Sequence, residues 1–166
     1  MSPDKRGKPP KKARSKPAAA ARTQPSSNDV HDIKYFQRHV KDDPTQAIPG
    51  REYLHAQVPK VRNLMRSVLA EVAASPPNRF SGGGYWEAMH GSMGDWYEVR
   101  VDGPQKKTHH RLFCRLDYDA KNFTKPLLVI ICGMTKPVGH VFSAAEYQLV
   151  RDLGAEYLAR ANRSVA

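Results

Sequence analysis

The sequence predicts an α+β protein: a small, twisted, largely antiparallel sheet packed against helices, behind a disordered basic N-terminal tail. Three observations predict it. Apolar residues recur at three-four spacing from Val58, two later segments alternate with period two, and the C-terminal segment opens with a helix-capping signature.

The tail comes first. Residues 1–28 hold eight Lys or Arg against one acid, Asp4, a net +7 out of the chain's +11. They combine Lys, Arg, Pro, Ala and Ser with no aromatic side chain. Such a segment cannot bury enough apolar surface to offset the entropy of ordering it. Residues 29–53 carry sparse apolar side chains, among them Val30, Ile33, Tyr35 and Phe36, and are expected to form an arm or a short strand. The folded domain proper is expected over 54–166.

Its first element is an amphipathic helix. Val58, Val61, Leu64, Met65, Val68, Leu69, Val72 and Ala73 fall on one face, Pro59 sits in the first turn, and Pro76-Pro77 stops the helix. The other face carries Lys60, Arg62, Asn63, Arg66 and Glu71. After the loop Gly82-Gly83-Gly84 come three strands. In the first, over 96–101, Tyr97, Val99 and Val101 point one way, while Trp96, Glu98 and Arg100 point the other. The second, over 109–118, separates Leu112, Cys114 and Leu116 from His109, Arg111, Phe113 and Arg115. The third, over 127–132, is apolar without alternation and closes at Gly133, as a central strand covered on both sides should. Ser143 and Glu146 form a capping box, Phe142 staples onto Tyr147, and Tyr147, Val150, Leu153, Tyr157 and Leu158 make the buried stripe of the last helix.

Composition narrows the class. The chain has 166 residues, enough for one core once the tail is set aside, and no apolar run approaches the roughly 18 residues a membrane span needs. The first residues lack the apolar middle of a secretory signal, so a cytoplasmic protein is expected. Cys114 and Cys132 have neither zinc-knuckle nor CxxC spacing and are read as reduced core residues. No metal and no cofactor is expected. An excess of cations in the tail, and a milder one in the domain, suits a polyanionic partner such as RNA.

The strand alternation places Arg100, His109, Arg111 and Arg115 on one face, with Lys136 just past the third strand. If these strands form a meander, the side chains converge within reach of successive phosphates. Trp96 and Phe113 share that face and offer flat rings on which bases could stack. The bland reading is an ordinary exposed sheet whose cations pair with acids such as Glu98. Lys60, Arg62 and Arg66 are a further RNA-contact candidate, or else a solvated helix face.

Four ordered motifs carry a family resemblance. Trp86-Glu87-Ala88-Met89-His90-Gly91 leads into Trp96-Tyr97-Glu98-Val99-Arg100-Val101, followed by His110-Arg111-Leu112-Phe113-Cys114-Arg115 and by Leu128 to Lys136. This series resembles the RelE/ParE toxin superfamily, and its phage-derived HigB-like branch most closely, over about residues 54–160. The resemblance implies a RelE-like fold and the toxin of a type II toxin-antitoxin system. Such a toxin acts as an mRNA interferase, a metal-independent endoribonuclease cutting mRNA on the ribosome. Its cognate antitoxin is usually a small acidic or helix-turn-helix protein. Carried over by position, Arg100, Arg111 and Arg115 would grip phosphate, Lys136 would stabilise the transition state, and His109 or His140 would shuttle the proton. The sequence departs from the family pattern in Met89-His90-Gly91, where the family reads "L-x-G", and in Pro137, which stands where a second loop lysine is common. A ParE-like gyrase inhibitor and a catalytically silent nucleic-acid-binding relative share the fold and are the alternatives.

Overall fold

The alternating segments do become neighbouring strands, in a computed structural model that describes residues 22–75 and 84–166. In chain order the elements are β1 (Asp32–Tyr35), α1 (Pro49–Ala56), α2 (Pro59–Ala74), β2 (Trp86–Ala88), β3 (Tyr97–Asp102), β4 (Thr108–Asp117), β5 (Leu127–Pro137) and α3 (Ala144–Leu158). They build an α+β fold around a mixed sheet ordered β1-β5-β4-β3-β2. Strands β2 to β5 run antiparallel to their neighbours, and β1 lies parallel to β5. That parallel pairing requires a crossover, which α1 and α2 supply.

Both faces of the sheet are covered. Val99, Leu112, Cys114, Leu128 and Ile130 meet Leu54 of α1 and Val61, Met65 and Leu69 of α2. On the opposite face Phe113, Val129, Ile131 and Trp96 meet Val150 and Tyr157 of α3. Each fully buried aliphatic or Phe side chain contributes about 1.5–3 kcal/mol, so these two layers dominate stability. A bulge sets their boundary: Phe113 pairs with Cys132 and Cys114 with Ile130, leaving Ile131 as the extra residue, and Ile131 and Cys132 both join the α3 layer. Cys114 and Cys132 are buried free thiols, which burial pushes up in pKa, Cys132 to about 12.

Ser143 accepts from the Glu146 amide at 3.1 Å while Glu146 accepts from the Ser143 amide at 2.7 Å, closing the expected capping box. The expected staple is present as an edge-to-face contact, 5.9 Å between the Phe142 and Tyr147 rings. Leu158, expected in the buried stripe, is 41 % exposed. Its neighbour Tyr157, expected in the same stripe, is buried, and Gly154 admits Trp96: a Cβ there would lie 2.3 Å from the indole.

Other expectations need correcting. The third strand does not close at Gly133 but continues to Pro137, because residues 133–137 pair with residues 108–112 of β4. Lys136 is therefore inside a strand. The arm or short strand expected over 29–53 does contain a strand, β1, but the segment also enters α1, and the Trp86 segment is an edge strand. Residues 22–28, assigned to the disordered tail, are docked on the domain: Arg22 donates to Asp29 at 2.8 and 2.9 Å and to the Ala70 carbonyl at 3.0 Å. The rest of the predicted tail, Pro76-Pro77 and Gly82-Gly83 lie outside the described residues. No helix of the described residues is long and apolar enough to cross a membrane.

Candidate active site

Alternation along β3, β4 and β5 converts sequence spacing into a patch at one end of the α3 face. Arg100 pairs in register with Arg111, and His109 with both Asp102 and Lys136. Side chains on the same face of adjacent strands stand about 5 Å apart at their Cβ atoms, so these groups form one cluster. Arg100 is ion-paired with Glu87 of β2, and its Nε lies 3.6 Å from Glu98 Oε1. Arg111 Nε lies 3.7 Å from Glu98 Oε2, with the Arg111 side chain 6 % exposed. His109 Nδ1 is 2.6 Å from Asp102 Oδ1, and the Lys136 ammonium rests 4.9 Å from the centroid of the Phe142 ring.

A second network lies beneath the cluster, on the α1 side of the same strands. The Tyr53 hydroxyl donates to the Met134 carbonyl at 3.0 Å and stands 2.8 Å from Thr135 Oγ1 and 3.2 Å from His110 Nδ1. His110 Nε2 is 3.0 Å from the Thr108 hydroxyl. Gly133 makes room for this tyrosine, since a Cβ would meet its ring at 2.1 Å. Burial holds the His110 imidazole below its ordinary pKa, with Arg111 acting in the same sense. The His110 carbonyl in turn accepts from Arg111 at 3.0 Å, which ties the guanidinium to this buttressed stretch of β4.

The electrostatics of the cluster are those of a half-dry site. Burial raises the Glu98 carboxyl above its ordinary pKa, against the opposing pull of Arg111 and Arg100. Arg111 is lowered by burial although Glu98 opposes it, and Lys136 is lowered by burial and by Arg111. Tyr147 of α3 is raised by burial and by the Glu98 charge. The Glu98 contacts to both guanidiniums exceed hydrogen-bond length, so the carboxylate is neutralised through space without being bonded to them.

The expected cationic face is corrected in several respects. Arg100, Arg111, His109 and Lys136 do converge, but Glu87, Glu98 and Asp102 are interleaved with them, so the patch is mixed in sign. Trp96 and Phe113 are 4 % and 0 % exposed and belong to the α3 core, where no base can stack on them. Arg115 lies four residues further along β4, beyond Phe113, with its guanidinium 5.1 Å from the Trp96 ring centroid. His140 is exposed in the β5–α3 loop, and no hydrogen bond or ion pair among the described residues joins its side chain to the cluster. Lys60, Arg62 and Arg66 sit on α2, across the sheet from the cluster. Arg62 there caps α1, donating to the His55 and Gln57 carbonyls at 3.2 and 3.3 Å.

Glu87 and Tyr147 are cluster residues that residue spacing does not single out, and Glu98 was expected only as an acid pairing with exposed cations. Alternation puts Glu98 on the right face, but its burial depends on α3 closing over the strand. Among the described residues no group of three His, Cys, Asp or Glu side chains is placed to hold a metal ion. No protein-family model, no curated protein and no solved structure matches the chain.

Proposed function

We propose that this chain is the toxin of a type II toxin-antitoxin pair and acts in the cytoplasm as a ribosome-dependent mRNA endoribonuclease. One observation carries the reading: Arg100, Arg111 and Lys136 share one face of adjacent strands with Glu98, a partly buried carboxylate of raised pKa. A phosphodiester entering it can displace the long Glu98 contacts and take up the guanidinium hydrogen bonds that the carboxylate leaves unused.

The chemistry follows from those groups. The 2′-hydroxyl of the RNA attacks the adjacent phosphorus, the bond from phosphorus to the 5′-oxygen breaks, and a 2′,3′-cyclic phosphate and a 5′-hydroxyl result. Glu98 accepts the 2′ proton, and burial suits it to this because a carboxyl with raised pKa is the stronger base. His109, oriented by Asp102, returns a proton to the leaving 5′-oxygen. Arg111, Arg100 and Lys136 face the additional negative charge on the phosphorane, and the Tyr53–His110–Thr135 network keeps β4 and β5 in place beneath them. The mixed sign of the patch suits a neutralising antitoxin whose charged segment replaces the substrate's phosphates.

Primer extension on mRNA after induced expression tests this reading. New ends within codons are expected, and Arg111→Gln or Glu98→Gln should lower cleavage by about 10²–10⁴-fold, the usual worth of a positioned acid, base or oxyanion partner. Intact transcripts accompanied by DNA damage would instead assign the ParE-like gyrase activity. Unimpaired growth on expression would assign the catalytically silent nucleic-acid-binding role.

A further inference from the structure

A cavity lined by two guanidiniums lies on the other side of the sheet, away from Glu98 and Arg111. It measures about 400 Å³ and is walled by Thr23, Gln24 and Pro25, by Ile33 and Tyr35 of β1, by Arg51 and His55 of α1, and by Arg66 and Leu69 of α2. That volume falls within the roughly 300–1,000 Å³ typical of small-molecule sites. No carboxylate of the described residues lines it. Among the described residues neither Arg51 nor Arg66 is in an ion pair, although Arg22, Arg38, Arg100, Arg111, Arg160 and Arg163 all are. The Arg51 guanidinium stands 5.0 Å from the centroid of the Tyr35 ring, which orients it without neutralising it.

The wall made by Thr23, Gln24 and Pro25 is held shut by specific bonds. Asp29 receives both Arg22 nitrogens and the Ser26 amide, at 2.8 to 2.9 Å, and Arg22 also reaches the Ala70 carbonyl on α2. The lining therefore brings the guanidiniums of Arg51 and Arg66 together with the apolar side chains of Pro25, Ile33 and Leu69, Arg66 and Leu69 lying one turn apart on the same face of α2. Guanidiniums that no carboxylate of the described residues pairs, set among apolar side chains, favour a ligand that joins an anion to a flat, weakly polar body.

We infer that this cavity binds the phosphate monoester of a nucleotide, with the phosphate between Arg51 and Arg66 and the base against Ile33 and Leu69. The assignment is independent of the ribonuclease reading, because none of these residues belongs to the Glu98 cluster. Two sources present this chemistry: a free 5′-mononucleotide and the 5′-phosphorylated end of an RNA strand.

Titration of the full chain with AMP, adenosine, and a pentaribonucleotide with or without a 5′-phosphate, followed by calorimetry and by NMR, tests the proposal. AMP is expected to bind and to shift the Tyr35 and His55 resonances, with adenosine binding at least about tenfold more weakly. Arg51→Gln and Arg66→Gln should each weaken AMP binding by about tenfold or more, the worth of a charge-assisted hydrogen bond, while Arg111→Gln leaves it unchanged. Binding of the 5′-phosphorylated strand but not its 5′-hydroxyl counterpart identifies the RNA end as the ligand, and binding of AMP alone identifies the free nucleotide. The proposal is overturned if no phosphate compound moves the Tyr35 and His55 resonances at millimolar concentration, or if the Arg51→Gln/Arg66→Gln double variant binds AMP as tightly as the parent.

Discussion

Asp117 and Glu98 are carboxylates of one sheet, both directed to the face that α3 covers, and their surroundings drive them in opposite directions. Asp117 lies 2.7 Å from Arg163 Nε and accepts from the Tyr157 hydroxyl at 2.6 Å and, through its other oxygen, from the Asp119 amide at 2.9 Å. Burial pushes Asp117 up, yet these bonds more than offset it and the net shift is downward. Glu98 has two guanidiniums at 3.6 and 3.7 Å but no hydrogen bond from either, so burial prevails and its pKa rises. What separates a fully bonded ion pair from a loose one here is about 1 Å of approach, because the charge-assisted hydrogen bond and not mere proximity compensates desolvation. Asp117 ties the C-terminal segment to the sheet. Glu98 leaves bonding capacity for a ligand.

The largest expected effect separates the two directly. Asp117→Asn leaves Arg163 buried without its counter-charge and should cost about 3–5 kcal/mol in urea denaturation at neutral pH. The sign with pH follows from the lowered pKa: Asp117 stabilises the fold above the ordinary carboxylate range, and this is lost as pH falls through its folded value. The gap between parent and Asp117→Asn should therefore narrow in acid, and a gap constant down to strongly acidic pH would show that the carboxylate charge is not the cause. Next in size is Gly154→Ala, whose Cβ would lie 2.3 Å from Trp96. Overpacking there should cost about 1–3 kcal/mol and, by displacing α3, lower both Tyr157–Asp117 bonding and the burial of Glu98. Thermal melts with an NMR titration of Glu98 would read both, and a Glu98 pKa unmoved in a destabilised variant would disconnect α3 from the site.

Ser143→Ala removes the cap of the same helix and should cost about 1 kcal/mol. Smallest is Glu98→Gln, expected within about 1 kcal/mol of the parent, with any gain appearing at neutral pH. For Glu98 the sign is opposite: a raised folded pKa favours the fold at low pH, and this advantage is lost as pH rises through that value. Equal losses for Glu98→Gln and Asp117→Asn at neutral pH would collapse the distinction between the two carboxylates.

Local patterns were legible in the residues themselves. The α2 periodicity, the β3 and β4 alternation and the Ser143–Glu146 cap each depend on neighbours a few positions apart, and each occurs at the expected place. The pairing of Arg100 with Arg111 was legible too, since period-two alternation on adjacent antiparallel strands leaves little freedom, whereas Lys136 joins them only because β5 runs on past Gly133. Trp96 and Phe113 were misplaced because alternation assigns a face without telling whether that face is covered. Both lie under α3, a helix far along the chain whose docking no local window contains.

The sequence by itself determined which side chains share a face and where the main helices and strands fall, because backbone geometry repeats every two or every 3.6 residues. Tertiary structure alone decided the parallel insertion of β1 beside β5, the docking of Arg22 on Asp29, and the opposite fates of Asp117 and Glu98. Those outcomes depend on distances between segments remote in sequence, and a hydrogen bond, unlike a hydrophobic contact, is gained or lost over less than an ångström.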